Sequence, residues 1–179
     1  MVMLAGNAHW LQQVEGLDLR LVRACNGWCR IPGVCRYFSW VSRLGNGVFW
    51  YGLMLVLPGV YGEQGGWISL RMALAGLMGL VLYRWLKQRT ARPRPYVRCR
   101  GVRARLAPLD RYSFPSGHTL HATAFTLVLA LALPHWLWWV LPFTVSVALS
   151  RLVLGLHYAS DVLAGALLGA AMGGVAGLL

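Results

Sequence analysis

Leu149-Ser150-Arg151-Leu152-Val153-Leu154-Gly155-Leu156-His157-Tyr158-Ala159-Ser160-Asp161 closes one apolar run, opens the next, and carries an arginine, a histidine and a carboxylate across the join. In the run before it, Trp136 to Leu156, the only polar groups besides Arg151 are hydroxyls. An ionisable side chain at such depth is costly, and a functional site is its default explanation. His157 and Asp161 are four apart, so on a helix they share a face: the carboxylate accepts from one imidazole nitrogen while the other points outward. Taken alone, the trio also fits snorkelling or simple pairing at a membrane border.

Outward from this stretch, composition settles the class. The chain has 179 residues, 58% hydrophobic and only 12% charged, with mean hydropathy +0.54, far too apolar for a soluble domain of this length. Apolar runs occupy Leu44 to Tyr61, Gly66 to Leu86, Thr119 to Pro134, Trp136 to Leu156 and Val162 to Leu179, each of 16 to 21 residues, against the roughly 20 that a bilayer core requires. The expectation is an all-α, polytopic membrane helix bundle with five spans. Residues 8–43 hold Arg20, Arg23, Arg30, Arg36 and Arg43, too many charges for an easy sixth span. They read as one or two amphipathic helices in the interface, broken at Asn26-Gly27 and Pro32-Gly33. This divides a single domain, 1–179, into an interfacial segment, 1–43, and a catalytic bundle, 44–179.

The net charge of +12 would suggest nucleic acid in a soluble protein. Nine Trp and long uncharged runs make anionic lipid or phosphate the expected partner instead. Ten of the seventeen Lys and Arg lie between Arg84 and Arg111, which also fits a juxtamembrane belt that sets orientation. Cys25, Cys29, Cys35 and Cys99 match no Cys-x2-Cys zinc pattern and read as structural thiols, with a disulfide only in an oxidising compartment. Met1 to Trp10 lacks the basic start and long apolar centre of a cleavable signal peptide.

The second run ends in Tyr83-Arg84-Trp85-Leu86-Lys87, and Pro93 and Pro95 forbid a continued helix. Lys87 then projects from a last turn while Arg94, between prolines, approaches from the loop Gln88 to Phe114, long enough to suggest function. That loop ends in Pro115-Ser116-Gly117-His118. Ser116 is a good N-cap type, Gly117 permits close approach, and the unpaired N–H groups of a helix start make an anion site beside a histidine. His118, His121, His157 and Asp161 could instead be weighed as metal ligands, but no further carboxylate or thiolate in these motif segments completes a site, so no metal is expected and His121 reads as packing or as support behind the site. In the last run Gly165, Gly169, Gly173 and Gly177 repeat every four residues, a stripe that lets another helix approach closely and turns Asp161, in phase with it, inward.

If five spans alternate, the end of the second, the start of the third, the end of the fourth and the start of the fifth emerge on one side. Lys87, Arg94, Ser116, Gly117, His118, Arg151, His157 and Asp161 then form one cluster. Three permanent cations, helix N–H groups, two histidines and one carboxylate suit a phosphate group, with bidentate Arg and point-charge Lys on its oxygens. One histidine can attack phosphorus while the other protonates the leaving oxygen.

Lys87-x6-Arg94-Pro95, Pro115-Ser116-Gly117-His118 and Ser150-Arg151-x5-His157-x3-Asp161 resemble the three signature motifs of the type 2 phosphatidic acid phosphatase (PAP2) superfamily, complete and in order. The resemblance implies a metal-independent lipid phosphatase without cofactor. His157 would be the transiently phosphorylated nucleophile, Asp161 its orienting carboxylate, and His118 the acid and then the base. Lys87, Arg94, Ser116, Gly117 and Arg151 would bind phosphate. Implied substrates are phosphatidic acid, phosphatidylglycerol phosphate or undecaprenyl diphosphate. The alternatives are a lipid phosphotransferase using the same site and a catalytically silent lipid-binding or transport protein; vanadate-dependent halide oxidation, also found in the superfamily, fits poorly with a small chain buried in lipid. Longer relatives have six spans. Bacterial relatives place the site on the periplasmic face of the inner membrane, against the positive-inside rule, since these arginines have phosphate to bind. Trp85, Tyr96, Trp136, Trp138 and Trp139 would be interfacial anchors.

Overall fold

The structure, a computed structural model, describes residues 2–179, with side chains from Trp10 onward except Leu11. The described residues are all-helical: α1 (Val2–Gly27), α2 (Pro32–Arg43), α3 (Phe49–Thr90), α4 (Pro95–Arg98), α5 (Gly117–Ala132), α6 (Leu137–Val153) and α7 (Ala159–Leu178). The breaks fall where the sequence places them. α1 stops at Gly27, and Ile31 is extended (φ −90°, ψ 113°) ahead of Pro32, the first residue of α2, as the ring of a following proline requires.

α3 is two antiparallel arms joined at a single residue, Gly62, whose φ of 57° and ψ of −133° are open only to glycine. The link between the first two apolar runs, residues 62–65, thus reverses the chain at one residue. The arms meet closely, because Ser69 Oγ donates to the Met54 carbonyl at 2.8 Å. With α3 counted as two arms, the five apolar runs become five helical rods. The boundaries shift at the stretch from Leu149 to Asp161: α6 ends at Val153 rather than Leu156, and α7 begins at Ala159. Between them Gly155 adopts φ 72° with no room for a Cβ, which would lie 2.7 Å from the Arg103 carbonyl.

The glycine stripe of α7 faces α5. A Cβ on Gly165, Gly169 or Gly173 would fall 2.6, 2.3 or 2.5 Å from the carbonyl oxygens of Ser116, Leu120 and Ala124, so backbone meets backbone along the seam. Trp50 packs against Phe125 and Phe143 with its ring tilted about 55° to each, within an apolar core that also takes in Leu57, Met72 and Leu129.

The first two helices are fastened to this bundle. Asn26 of α1 donates to the carbonyls of Val153 (2.9 Å) and Arg103 (3.0 Å) and accepts from the Arg103 N–H. Tyr37 of α2 bonds Ser146 of α6. Trp85, Trp138 and Trp139 are exposed on the outer surface. Tyr96 departs from the expected anchor role and packs inward beside Val153, Leu154 and Leu156, because α4 folds its aromatic ring back onto the α6–α7 connection.

Candidate active site

The turn after α6 fixes two of the expected residues against each other. The N–H groups of Leu156 and His157 both donate to the Arg151 carbonyl, at 3.0 and 3.1 Å, so His157 is folded back beside Arg151. His157 therefore precedes α7 rather than lying on it, and the helical i, i+4 relation expected with Asp161 is replaced by a capping arrangement. Asp161 Oδ2 accepts the Tyr158 N–H at 2.9 Å and lies 3.6 Å from His157 Nδ1. That gap exceeds a hydrogen bond, and Nδ1 has no other partner among the described residues.

His157 Nε2 lies 3.3 Å from Arg94 Nη1. A guanidinium only donates, so this nitrogen presents its lone pair and the ring proton sits on Nδ1, towards Asp161. Arg94 Nη1 also donates to the Leu156 carbonyl at 2.8 Å, holding the turn in place. Burial first, and then the charges of Arg151, Arg94 and Lys87, push the His157 imidazole well below its ordinary value, which favours its neutral form.

A cavity of about 1050 Å3 is lined by Lys87, Arg94, Gly117, His118, Arg151 and His157. Lys87 comes from the last turn of α3, where Ala91 ends the helix in the left-handed region (φ 45°), and Gly117 and His118 come from the first turn of α5. Arg151 is 3% exposed; one terminal nitrogen donates to Ser42 Oγ of α2, while its Nε is buried without a partner. An unsatisfied buried guanidinium donor on a cavity wall is a place for an anion's oxygen. Six of the eight residues expected from the sequence thus share one cavity. Ser116 and Asp161 stand behind its wall. Ser116 Oγ bonds Thr119 Oγ1 instead of capping α5, and its N–H donates to the Asp161 carbonyl at 3.0 Å. His121 bonds the Gly117 and Gly76 carbonyls, a packing role.

Residues outside the motifs complete the surroundings. Asp110, from the loop before α5, takes Lys87 Nζ at 2.6 Å and Arg94 Nη2 at 2.8 Å, so its carboxylate occupies an anion position between the two cations. Burial alone would raise the Asp110 carboxyl, but the hydrogen bond and charge of Lys87, with Arg94 behind, hold it below its ordinary value. Arg92 donates to Asp161 Oδ1 at 2.6 Å and to Asp18 Oδ2 of α1 at 2.8 Å. Spacing announces none of these partners. The one available signal was that five acidic residues stand against seventeen basic ones, so an acid near the basic loop meets an excess of cations.

From the cavity's charged end its wall continues along both arms of α3 through Trp50, Tyr51, Met54, Leu77 and Leu80. Tyr51 and Leu77 are more than half exposed, so the cavity has a side opening on the apolar flank.

Comparison with known proteins places these features in context. The family model described as the PAP2 superfamily matches residues 66–178, which contain all three motifs. Over 63 residues the chain is 43% identical to an undecaprenyl-diphosphatase of Sulfolobus acidocaldarius; the match covers 35% of this chain and spans 30% of that relative's length. The crystal structure of Aquifex aeolicus LpxE superposes with TM-score 0.79 at 27% identity, covering 89% of this chain and 94% of that one. A transmembrane PAP2-type phosphatidylglycerolphosphate phosphatase from Bacillus subtilis gives TM-score 0.75 at 25% identity, covering 92% and 84%.

Proposed function

Since this chain belongs to the PAP2 superfamily, we propose that it is a membrane lipid phosphohydrolase acting through a phosphohistidine, without a metal. The observation that carries the reading is the lone pair of His157 Nε2 facing Arg94 in the cavity that His118, Lys87 and Arg151 also line. The substrates are lipid phosphates or diphosphates of the phosphatidic acid, phosphatidylglycerol phosphate or undecaprenyl diphosphate kind, in line with the names of the relatives.

In this mechanism a phosphoryl group displaces the Asp110 carboxylate from Lys87 and Arg94, and a further oxygen takes the free Arg151 Nε. Nε2 of His157 attacks phosphorus as the bond to the lipid oxygen breaks, and His118 gives that oxygen a proton. The Nδ1 proton of His157 moves towards Asp161 Oδ2, which offsets the charge developing on the ring. His118, now neutral, takes a proton from water; the hydroxide formed attacks phosphorus, the N–P bond breaks and inorganic phosphate leaves. Lys87, Arg94, Arg151 and the first-turn amides at Gly117 stabilise the charge on the equatorial oxygens in both steps. Ser116, behind the wall, acts by tying the start of α5 to α7.

The chain sits in the inner membrane with this site on the periplasmic side, residues 1–43 lying along the interface and 44–179 forming the catalytic bundle. The test is a phosphate-release panel with the three lipid classes on the purified protein, with and without EDTA. Release from at least one lipid, insensitive to chelator and carrying acid-labile phosphate on His157, is expected; chelator-sensitive activity overturns the metal-free mechanism, and no release from any lipid overturns the hydrolase reading.

A further inference from the structure

A buried carboxylate and a partly exposed arginine take no part in that mechanism. Asp18, on α1, is 2% exposed, yet α1 lies outside the residues matched by the family model. Its Oδ1 accepts the Ser160 N–H at 2.8 Å, and its Oδ2 takes the Ser160 hydroxyl and Arg92 Nη2. Arg92 in turn spans both carboxylates, Asp18 and Asp161, and stacks 4.1 Å above the Tyr158 ring. A lone arginine between two acids is held in one plane by them and by the ring.

The consequence falls on Asp161. Its two oxygens are claimed from opposite sides, Oδ1 by Arg92 and Oδ2 by the Tyr158 N–H, and this fixes the rotation of the carboxylate. The oxygen turned towards His157 Nδ1 is Oδ2. Arg92 Nη1 also donates to Ser160 Oγ at 2.7 Å; without Asp18 the guanidinium loses the partner of its Nη2, and its grip on Asp161 Oδ1 loosens. Neither Asp18 nor Arg92 lines the cavity, so neither touches the substrate.

We propose that Asp18 and Arg92 are positioning residues for the reaction: α1, through this pair, sets the rotation of Asp161 and so the orientation and basicity of His157. The inference rests on His157 being the nucleophile. It makes the N-terminal helix part of the catalytic apparatus and not only a membrane-surface attachment.

The experiment compares Asp18→Asn, Asp18→Glu and Arg92→Lys with the unaltered full chain, using the lipid that the latter hydrolyses best. The readouts are kcat and KM per folded molecule, with folded protein quantified by thermal unfolding. Asp18→Asn keeps the size and loses the charge; Arg92→Lys keeps the charge and loses the fork. Both should lower kcat about tenfold, as misplaced catalytic groups do, with KM and inhibition by inorganic phosphate within twofold; Asp18→Glu should recover part of the loss. Unchanged kcat per folded molecule overturns the proposal, as does a parallel rise in KM. If Asp18→Asn does not fold, Arg92→Lys decides by the same split. An unaltered protein that releases no phosphate overturns the site reading and this inference with it, whereas an active one with kinetically silent variants overturns this inference alone.

Discussion

At the level of single side chains, the proposed reaction sets one carboxylate against a phosphoryl group for the same two cations. Asp110 holds Lys87 and Arg94 at 2.6 and 2.8 Å, and in the proposed mechanism substrate displaces it. Asp110→Asn should therefore lower KM by about three- to tenfold, worth roughly the 1 kcal/mol of a partly exposed ion pair, read from initial rates at low substrate. An unchanged or raised KM would show that Asp110 does not compete. His157→Ala should reduce phosphate release to background while the thermal unfolding midpoint stays near that of the unaltered chain. Because burial and three cations depress the His157 imidazole, its neutral form persists below the usual imidazole range of about 6.5. The sign follows: kcat/KM should hold through mildly acidic solution and fall only as pH drops through that lowered value. An acid limb at or above 6.5 would contradict the assignment. The motif residues were legible because an arginine or histidine inside an apolar run is conspicuous. Asp110, Asp18, Arg92 and Ser42 were not. Their partners lie 16 to 109 residues away in the chain, and no periodicity links them.

Among the helices, the α5–α7 seam does most to hold the site. Backbone contact at Gly165, Gly169 and Gly173 brings the N-terminus of α5, with His118, to the N-terminus of α7, with Asp161. Gly169→Ala would drive a methyl to 2.3 Å from the Leu120 carbonyl, and backbone cannot yield as a side chain can. Overpacking of this kind costs about 1–3 kcal/mol. The variant should unfold at lower temperature and lose kcat, whereas Gly16→Ala, with nothing within 4 Å of the new methyl, should leave the unfolding midpoint alone. The four-residue glycine period disclosed this seam in advance, since only close packing gives it a reason. The single-residue reversal at Gly62 was not foreseeable, because Gly65 and Gly66 offer equally good turn residues.

Over the molecule as a whole, the basic excess has an accounting in contacts. Four of the five acidic residues, Glu15, Asp18, Asp110 and Asp161, pair with basic residues between Lys87 and Arg98. These cations bind the site together, which weakens their use as a topological signal. The periplasmic assignment is checked by an Arg100→Cys reporter, exposed in the loop beyond α4, in a background with the native cysteines replaced. A membrane-impermeant maleimide should label it in intact cells, and protection until lysis would reverse the orientation. The same cavity has its charged end beside the loops and its side opening between the exposed faces of Tyr51 and Leu77. In the proposed reaction such a doorway would let a hydrocarbon tail remain among its neighbours throughout turnover, so the two products would part company: the dephosphorylated lipid drifting off laterally and the inorganic ion escaping into water. Encounter then takes place in two dimensions, and velocity should track the mole fraction of substrate in the micelle or vesicle, falling when inert amphiphile is added at constant bulk molarity.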